Sequence, residues 1–114
     1  MTPDMIRARQ LLNEGCAAFA KGDIDGAENC FRESKRLAPD TQTKNTASLY
    51  LGCVFNFRFI PNMCPEEKAA NDNWLSFAAA EFNEVLRNEP TDRDRGYAER
   101  NLKSIEVLAV PTNF

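Results

Sequence analysis

Apolar residues recur along the chain at the three- and four-residue spacing that is typical of amphipathic helices. The first such stripe runs from Ile6 to Phe19 and predicts a helix that begins near Pro3 and ends at Gly22. The same spacing predicts four further helices, over residues 24–37, 41–59, 65–88 and 91–108. Residues suited to cap or to stop these helices stand at the expected ends: Thr2, Asp23, Asp40 or Thr41, and Thr91 as caps, with Pro39 and Pro90 as stops.

One segment of the third helix carries a second pattern. The run VFNFRF, residues 54–59, alternates apolar and polar residues, which is also the signal of a strand. A helix is favoured because no other segment offers a partner strand, and a lone strand leaves its backbone groups unpaired. The pattern as a whole therefore predicts an all-α chain of five helices.

The composition is that of a small globular protein. The chain has 114 residues, of which 43% are hydrophobic and 27% charged, and we expect one helical domain over 1–110 with a tail at 109–114. The formal net charge of −3 argues against nucleic-acid binding, which relies on Lys and Arg. No apolar run approaches the length that spans a membrane, and the N-terminus lacks the pattern of a secretory signal. With four cysteines and no CxxC pair, we expect a cytoplasmic protein with reduced thiols.

The two predicted helix pairs resemble each other in sequence. Aligning residues 3–40 with residues 41–90 brings four residue types into register: Gly15 on Gly52, Ala27 on Ala78, Phe31 on Phe82, and Pro39 on Pro90. In both copies the alanine precedes the phenylalanine by four residues and the proline by twelve. The small residues allow two helices to approach closely, and the phenylalanine is expected to fill the space between successive pairs. This agreement indicates an internal repeat.

The pattern resembles the tetratricopeptide repeat, whose signature is W-x2-L-G-x2-Y, then A-x3-F, then P. The resemblance implies antiparallel helix pairs stacked into a short right-handed superhelix, with a first repeat at 3–40, an extended second repeat at 41–90 and a capping helix at 91–108. Two positions depart from the signature, because Glu14 replaces an apolar residue and Ser48 a large one. The second copy also carries an insertion between its glycine and its alanine.

In the resembled family, the first helix of each pair lines a concave face that binds peptide segments of partner proteins. With the glycines as register, the resemblance implies a largely apolar groove lined by Arg9, Leu12, Cys16, Phe19, Leu49, Cys53, Asn56 and Phe57. It lacks the Lys and Asn set with which some family members hold a C-terminal carboxylate. We expect a non-catalytic adaptor or chaperone-like module that binds an apolar peptide of another protein. The alternative is a scaffold subunit that forms a homodimer or larger oligomer through its fourth helix or its end face.

Signals for catalysis or for cofactor binding are weak. The chain has no histidine and no Gly-rich phosphate-binding pattern, so no enzyme, cofactor or metal site is predicted. Cys16 and Cys53 take equivalent places in the two copies and are either a redox pair or small packed residues. Cys64, next to a predicted helix start, is the remaining candidate for a nucleophile. The three phenylalanines within 55–59 also have two interpretations, because they either pack in the core or form a partly exposed docking surface.

Overall fold

The computed structural model describes residues 2–60 and 66–109 of the chain. These residues form five α-helices and no strand, which confirms the predicted all-α class. The run VFNFRF at 54–59, for which a strand was the alternative prediction, is helical as far as Arg58. The helices are α1 (Pro3–Ala20), α2 (Ile24–Leu37), α3 (Thr41–Arg58), α4 (Lys68–Arg87) and α5 (Asp92–Ala109).

Four of the helices begin where the sequence predicts, at a side-chain oxygen that accepts a hydrogen bond from the backbone N–H three residues later. The capping residues and their oxygen–nitrogen distances are Thr2 (3.2 Å), Asp23 (2.9 Å), Asp40 (2.9 Å) and Thr91 (3.2 Å). Of the two candidate caps of α3, the structure therefore selects the aspartate. Gly22 has a φ angle of 84°, in the left-handed region, which lets the chain turn sharply between α1 and α2.

The fourth helix begins later than the sequence predicts. Its first residue is Lys68 rather than Pro65, because Glu66 and Glu67 form a turn ahead of it. The Glu67 carbonyl accepts the first helical hydrogen bond, at 3.0 Å, and so marks the start of α4. The two prolines predicted to bound the preceding loop, Pro61 and Pro65, lie outside the described residues.

The backbone that leaves α3 is fixed by one buried amide. Asn71 of α4 accepts a hydrogen bond from the Ile60 N–H at 2.9 Å and donates one to the Ile60 carbonyl at 2.6 Å. A buried side-chain amide needs both partners to offset its loss of water. The pair of bonds therefore ties the end of α3 to the first turns of α4.

Helices that are consecutive in the chain pack against each other, in the order α1–α2, α2–α3, α3–α4 and α4–α5. In addition, α3 contacts α1 on one side and α5 on the other, whereas the backbones of α2 and α4 stay apart. The helices thus form a row of pairs with α3 at its centre. Buried core side chains lie along this row, among them Phe31, Leu51, Val54, Phe55, Phe82 and Val85.

Each helix pair is closed by contact between a glycine and a phenylalanine ring. A methyl group added to Gly15 would lie 2.5 Å from a ring carbon of Phe31, and one added to Gly52 would lie 2.5 Å from a ring carbon of Phe82. Both rings are buried. Phe31 also reaches the next pair, where its ring centre lies 5.1 Å from that of Tyr50. The aligned residues of the two copies therefore make the same contact.

Charged side chains bridge the two pairs on the side of α2 and α4. Lys35 of α2 binds the Glu81 carboxylate of α4 at 2.7 Å. Arg58 of α3 binds Glu28 of α2 at 3.2 Å, and its guanidinium lies over the Trp74 ring of α4, 5.2 Å from the ring centre. One arginine therefore connects three helices.

Alanine in place of Gly15 or Gly52 is expected to destabilise the protein. In an open helix position the change stabilises by up to about 1 kcal/mol, but a methyl group pressed into a buried ring is expected to cost about 1–3 kcal/mol. Gly96 of α5 is the matched control, because among the described residues nothing lies within 4 Å of an added methyl group. Urea denaturation of the three variants measures the free energy of unfolding. Equal stability of the three would contradict the contact.

The cap of α3 is expected to make stability depend on pH. Partial burial acts to raise the pKa of Asp40, but hydrogen bonds from the Thr43 N–H and hydroxyl outweigh it and hold the pKa below its usual value. A lowered carboxyl pKa contributes stability that is present above the unfolded-state pKa of about 3.9 and is lost as pH falls through the folded-state value.

The variants Asp40→Asn and Asp40→Ala separate this charge from the capping oxygen. Asp40→Asn keeps an acceptor, so it should be less stable than the wild type at neutral pH and equal to it once the aspartate is protonated. Asp40→Ala should cost about 1 kcal/mol more than the asparagine variant at either pH. Thermal unfolding across the acid range measures both effects. A gap between wild type and Asp40→Asn that stays constant into strong acid would exclude the proposed titration.

Candidate functional site

The helices α1, α3 and α5 lie side by side and share one surface, which we call the groove face. Of the eight residues predicted to line it, three are exposed and four half-buried: Arg9, Cys16 and Phe57, then Leu12, Phe19, Cys53 and Asn56. Leu49 is only 7% exposed and belongs to the core. It supports this face from below and presents little surface to a ligand.

An aromatic contact joins the predicted stripes of α1 and α3. The Phe19 and Phe57 rings meet edge to face, with centres 5.2 Å apart. Phe57 remains 62% exposed although its edge is fixed by this contact. Aromatic rings favour this edge-to-face arrangement, which holds the Phe57 side chain in one place. The two stripes therefore meet at an apolar surface that is open to solvent.

Thiols and phenols alternate across the groove face. The Cys53 sulfur of α3 lies 3.0 Å from the Tyr97 hydroxyl of α5. Cys16 of α1 interacts with the hydroxyl of Tyr50 on α3. We call these four residues the thiol–phenol row. It connects all three helices of the groove face, and Cys16, Cys30 and Cys53 are all free thiols.

Three of the four groups in the row hold their protons more tightly than usual. Burial raises the pKa of the Cys53 thiol, and the hydrogen bond to Tyr97 offsets this only in part. The hydrogen bond to Cys53, together with burial, raises the pKa of Tyr97 to about 12. Burial and the neighbouring Cys16 raise the pKa of Tyr50. Because the thiolate is the reactive form of cysteine, Cys53 is suited to hydrogen bonding more than to thiol chemistry.

A cavity of about 290 Å³ opens at one end of the groove face, between α3 and the first turn of α5. The rings of Tyr50 and Tyr97 form part of its wall, and its other lining is mostly polar. The remaining lining residues are Gln42, Thr46, Leu49, Thr91, Arg93 and Asp94. This cavity lies beside the N-terminal half of α3, whereas the exposed Phe57 lies near its C-terminal end. The groove face therefore has a polar end and an apolar end.

Sequence reasoning missed the contribution of α5 to this site. Tyr50, Tyr97 and Arg93 were not among the predicted lining residues. A signal was present for Tyr97. Extending the alignment of Pro39 with Pro90 by seven residues places Tyr97 of α5 on Thr46 of α3, and both residues line the cavity. The other two have no counterpart in the repeat signature.

The three phenylalanines near the end of α3 have different surroundings. Phe55 is buried and stacks against Trp74 of α4, with ring centres 6.1 Å apart. Phe59 is half-buried and packs on the same core. Phe57 alone is exposed to solvent. Core packing therefore accounts for two of the three, and the open surface for the third.

The described residues contain neither a metal-binding cluster nor a membrane-spanning helix. Residues 2–60 and 66–109 contain no group of three or more His, Cys, Asp or Glu side chains placed to hold a metal ion. None of their helices combines the length and the apolar character needed to cross a membrane. Cys64, the candidate nucleophile, lies outside the described residues.

Comparison with models of known protein families, with curated proteins and with solved structures found no match to this chain.

Cys53 is expected to react slowly with Ellman's reagent and Cys16 quickly. Cys16 is exposed, whereas Cys53 is half-buried and its raised pKa keeps it protonated. Replacing Cys30 and Cys64 with alanine isolates the two thiols, and the fast phase should then vanish in Cys16→Ala. Mass spectrometry after treatment with oxidised glutathione provides the second measurement. An intramolecular disulfide between Cys16 and Cys53 would support the redox pair and overturn the packing interpretation.

Proposed function

We propose that the chain is a tetratricopeptide-like module that binds a peptide segment of another protein on its groove face and has no catalytic activity. The observation that carries the proposal is the Phe57 ring, exposed at 62% yet fixed against Phe19 where α1 meets α3. A large apolar side chain that is exposed and already ordered favours association, because a bound apolar group removes its surface from water without a further ordering cost.

The repeated packing supports the family assignment within this proposal. The same glycine–phenylalanine contact closes both helix pairs, at the positions that define the resemblance. The last helix, α5, exposes alternating charges at Arg95, Glu99, Lys103 and Glu106, which is what a capping helix needs on its solvent side. The right-handed superhelix is part of the proposal. So is the role as an adaptor or chaperone-like protein in the cytoplasm.

The size of the apolar surface favours a transient partner. Burial of one phenylalanine or leucine anchor contributes about 1.5–3 kcal/mol, and ordering of the peptide opposes this gain. Two or three anchors on the groove face give a modest affinity. An adaptor that exchanges partners matches this balance better than a permanent complex.

The raised pKa of Cys53 and the absence of histidine support a non-catalytic role. The charges on α5 also argue against the end face as the interface of the alternative scaffold subunit. An end face that carries Arg95, Glu99 and Lys103 is suited to water more than to a second copy of the chain. Sedimentation over a range of concentrations separates the two, since a concentration-dependent dimer would support the scaffold.

Phe57→Ser is expected to weaken peptide binding about ten-fold or more, because the peptide loses its apolar contact. Phe77→Ser is the matched control, since Phe77 is also an exposed aromatic but contacts Phe55 and Trp74 at the α4 side. Peptides selected from a displayed random library on the wild-type chain serve as probes, and fluorescence anisotropy gives their affinities. Equal loss in both variants would place the binding surface elsewhere, and a library without binders would overturn the proposal.

A further inference from the structure

We propose that the cavity between α3 and α5 holds the side-chain carboxylate of an aspartate or glutamate of the bound peptide, paired with Arg93. This inference rests on the proposed peptide-binding function and adds the chemistry of the partner: an acidic residue near an apolar one. The inference is argued from three observations: the size of the cavity, the lack of an ion pair at Arg93 among the described residues, and the distance between the cavity and Phe57.

The cavity has room for a side chain of a bound peptide. Its volume of about 290 Å³ lies just below the usual range for small-molecule sites, so it does not suit a large cofactor. The Tyr50 and Tyr97 rings provide walls for the methylene groups of a side chain. The hydroxyl of Thr46 and the amide of Gln42 also line it and offer hydrogen bonds.

Arg93 is the cation that this cavity offers. It lines the space, and its charge acts on the Tyr50 phenol of α3. In the part of the chain that the structure describes, Arg93 makes no ion pair, whereas the nearby Arg95 binds Asp92 at 3.2 Å. A guanidinium has five donors in a planar fork that matches a carboxylate. Its unused donors fit an acidic side chain better than a neutral one.

The first turn of α5 acts in the same direction, and one carboxylate acts against it. Backbone N–H groups at a helix start carry partial positive charge, and Thr91 and Arg93 bring that start to the cavity wall. Asp94 lines the same cavity, and its backbone N–H already donates to the Thr91 hydroxyl at 3.2 Å. The positive charge of Arg93 and the negative charge of Asp94 act against each other. Removing Arg93 should therefore weaken the preference of the cavity for an acidic side chain, and removing Asp94 should strengthen it.

The distance along α3 fixes the spacing of the two peptide residues. Tyr50, at the cavity, and Phe57, at the apolar end, are separated by seven positions in one helix, which is about 10 Å along its axis. An extended peptide covers about 3.3 Å per residue, so this distance corresponds to about three residues. The peptide is therefore expected to carry an apolar and an acidic residue with two residues between them.

The acidic group is assigned to a side chain, not to the end of a chain. An internal residue inserts its side chain into the cavity while the peptide backbone continues along α3 towards Phe57, which is why the proposal commits to a side chain. Capping both ends of a test peptide removes the terminal carboxylate and leaves the side chain in place.

The experiment uses short fluorescent peptides, acetylated and amidated at their ends, in an alanine–serine background. Each carries a phenylalanine and a glutamate with two residues between them, in both orders, and each has a counterpart with glutamine for glutamate. Anisotropy is measured with the wild type, Arg93→Gln and Asp94→Asn, with circular dichroism to verify folding. The wild type should bind the glutamate peptide of one order about five-fold more tightly than its glutamine counterpart, a preference that falls at high salt.

Arg93→Gln should abolish this preference, and Asp94→Asn should increase it about two-fold or more. Equal binding of glutamate and glutamine peptides by the wild type, with Phe57→Ser still weakening both, would overturn this inference and leave the proposed function standing. A glutamate preference that survives in Arg93→Gln would also overturn it. If no peptide bound at all, the inference and the proposed function would fail together.

Discussion

A phenylalanine ring can press against the backbone of a neighbouring helix only where that helix lacks a Cβ atom. The chain meets this condition twice, at Gly15 under Phe31 and at Gly52 under Phe82. Both helix pairs therefore close through the same kind of contact, and both rings are buried. Phe31 then extends to Tyr50 of the next pair, so the contact that closes one pair also positions the other. The alignment of α1 beside α3, and with it the groove face, depends on this packing.

The two sides of the row are held together by different forces. On the groove face α1 and α3 contact each other directly, through rings such as Phe19 and Phe57. On the other side α2 and α4 are bridged by long charged side chains, among them Lys35 to Glu81. Partly exposed ion pairs each contribute little to stability. Their main effect is therefore on the spacing between α2 and α4, and their effect on the free energy of unfolding is small.

Periodicity and punctuation predicted most of the helices, because each cap involves residues only three positions apart. The glycine–phenylalanine contacts join residues distant in sequence, and the alignment of the two copies indicated them. The site was predicted less completely. Leu49 and Tyr50 are neighbours in α3 and both line the cavity, yet the first is buried at 7% exposure and the second is 36% exposed. Which of two such neighbours is covered depends on where α1 and α5 lie, and spacing within one helix carries no information about that. The helix α4 starts at Lys68 and not at the predicted Pro65, because a turn at Glu66 and Glu67 precedes it.

The charge of the whole chain and the charge of the proposed site point in opposite directions. A net charge of −3 repels an acidic peptide at long range, which slows its approach. At physiological ionic strength this repulsion is screened beyond about 8 Å, whereas the Arg93 guanidinium at the cavity wall acts at contact distance. Under the proposed function, the lining of the cavity and not the overall field decides which peptide is held. Arg93 then supplies selectivity, and the apolar end supplies most of the affinity. This division matches an α3 surface whose two ends differ in polarity.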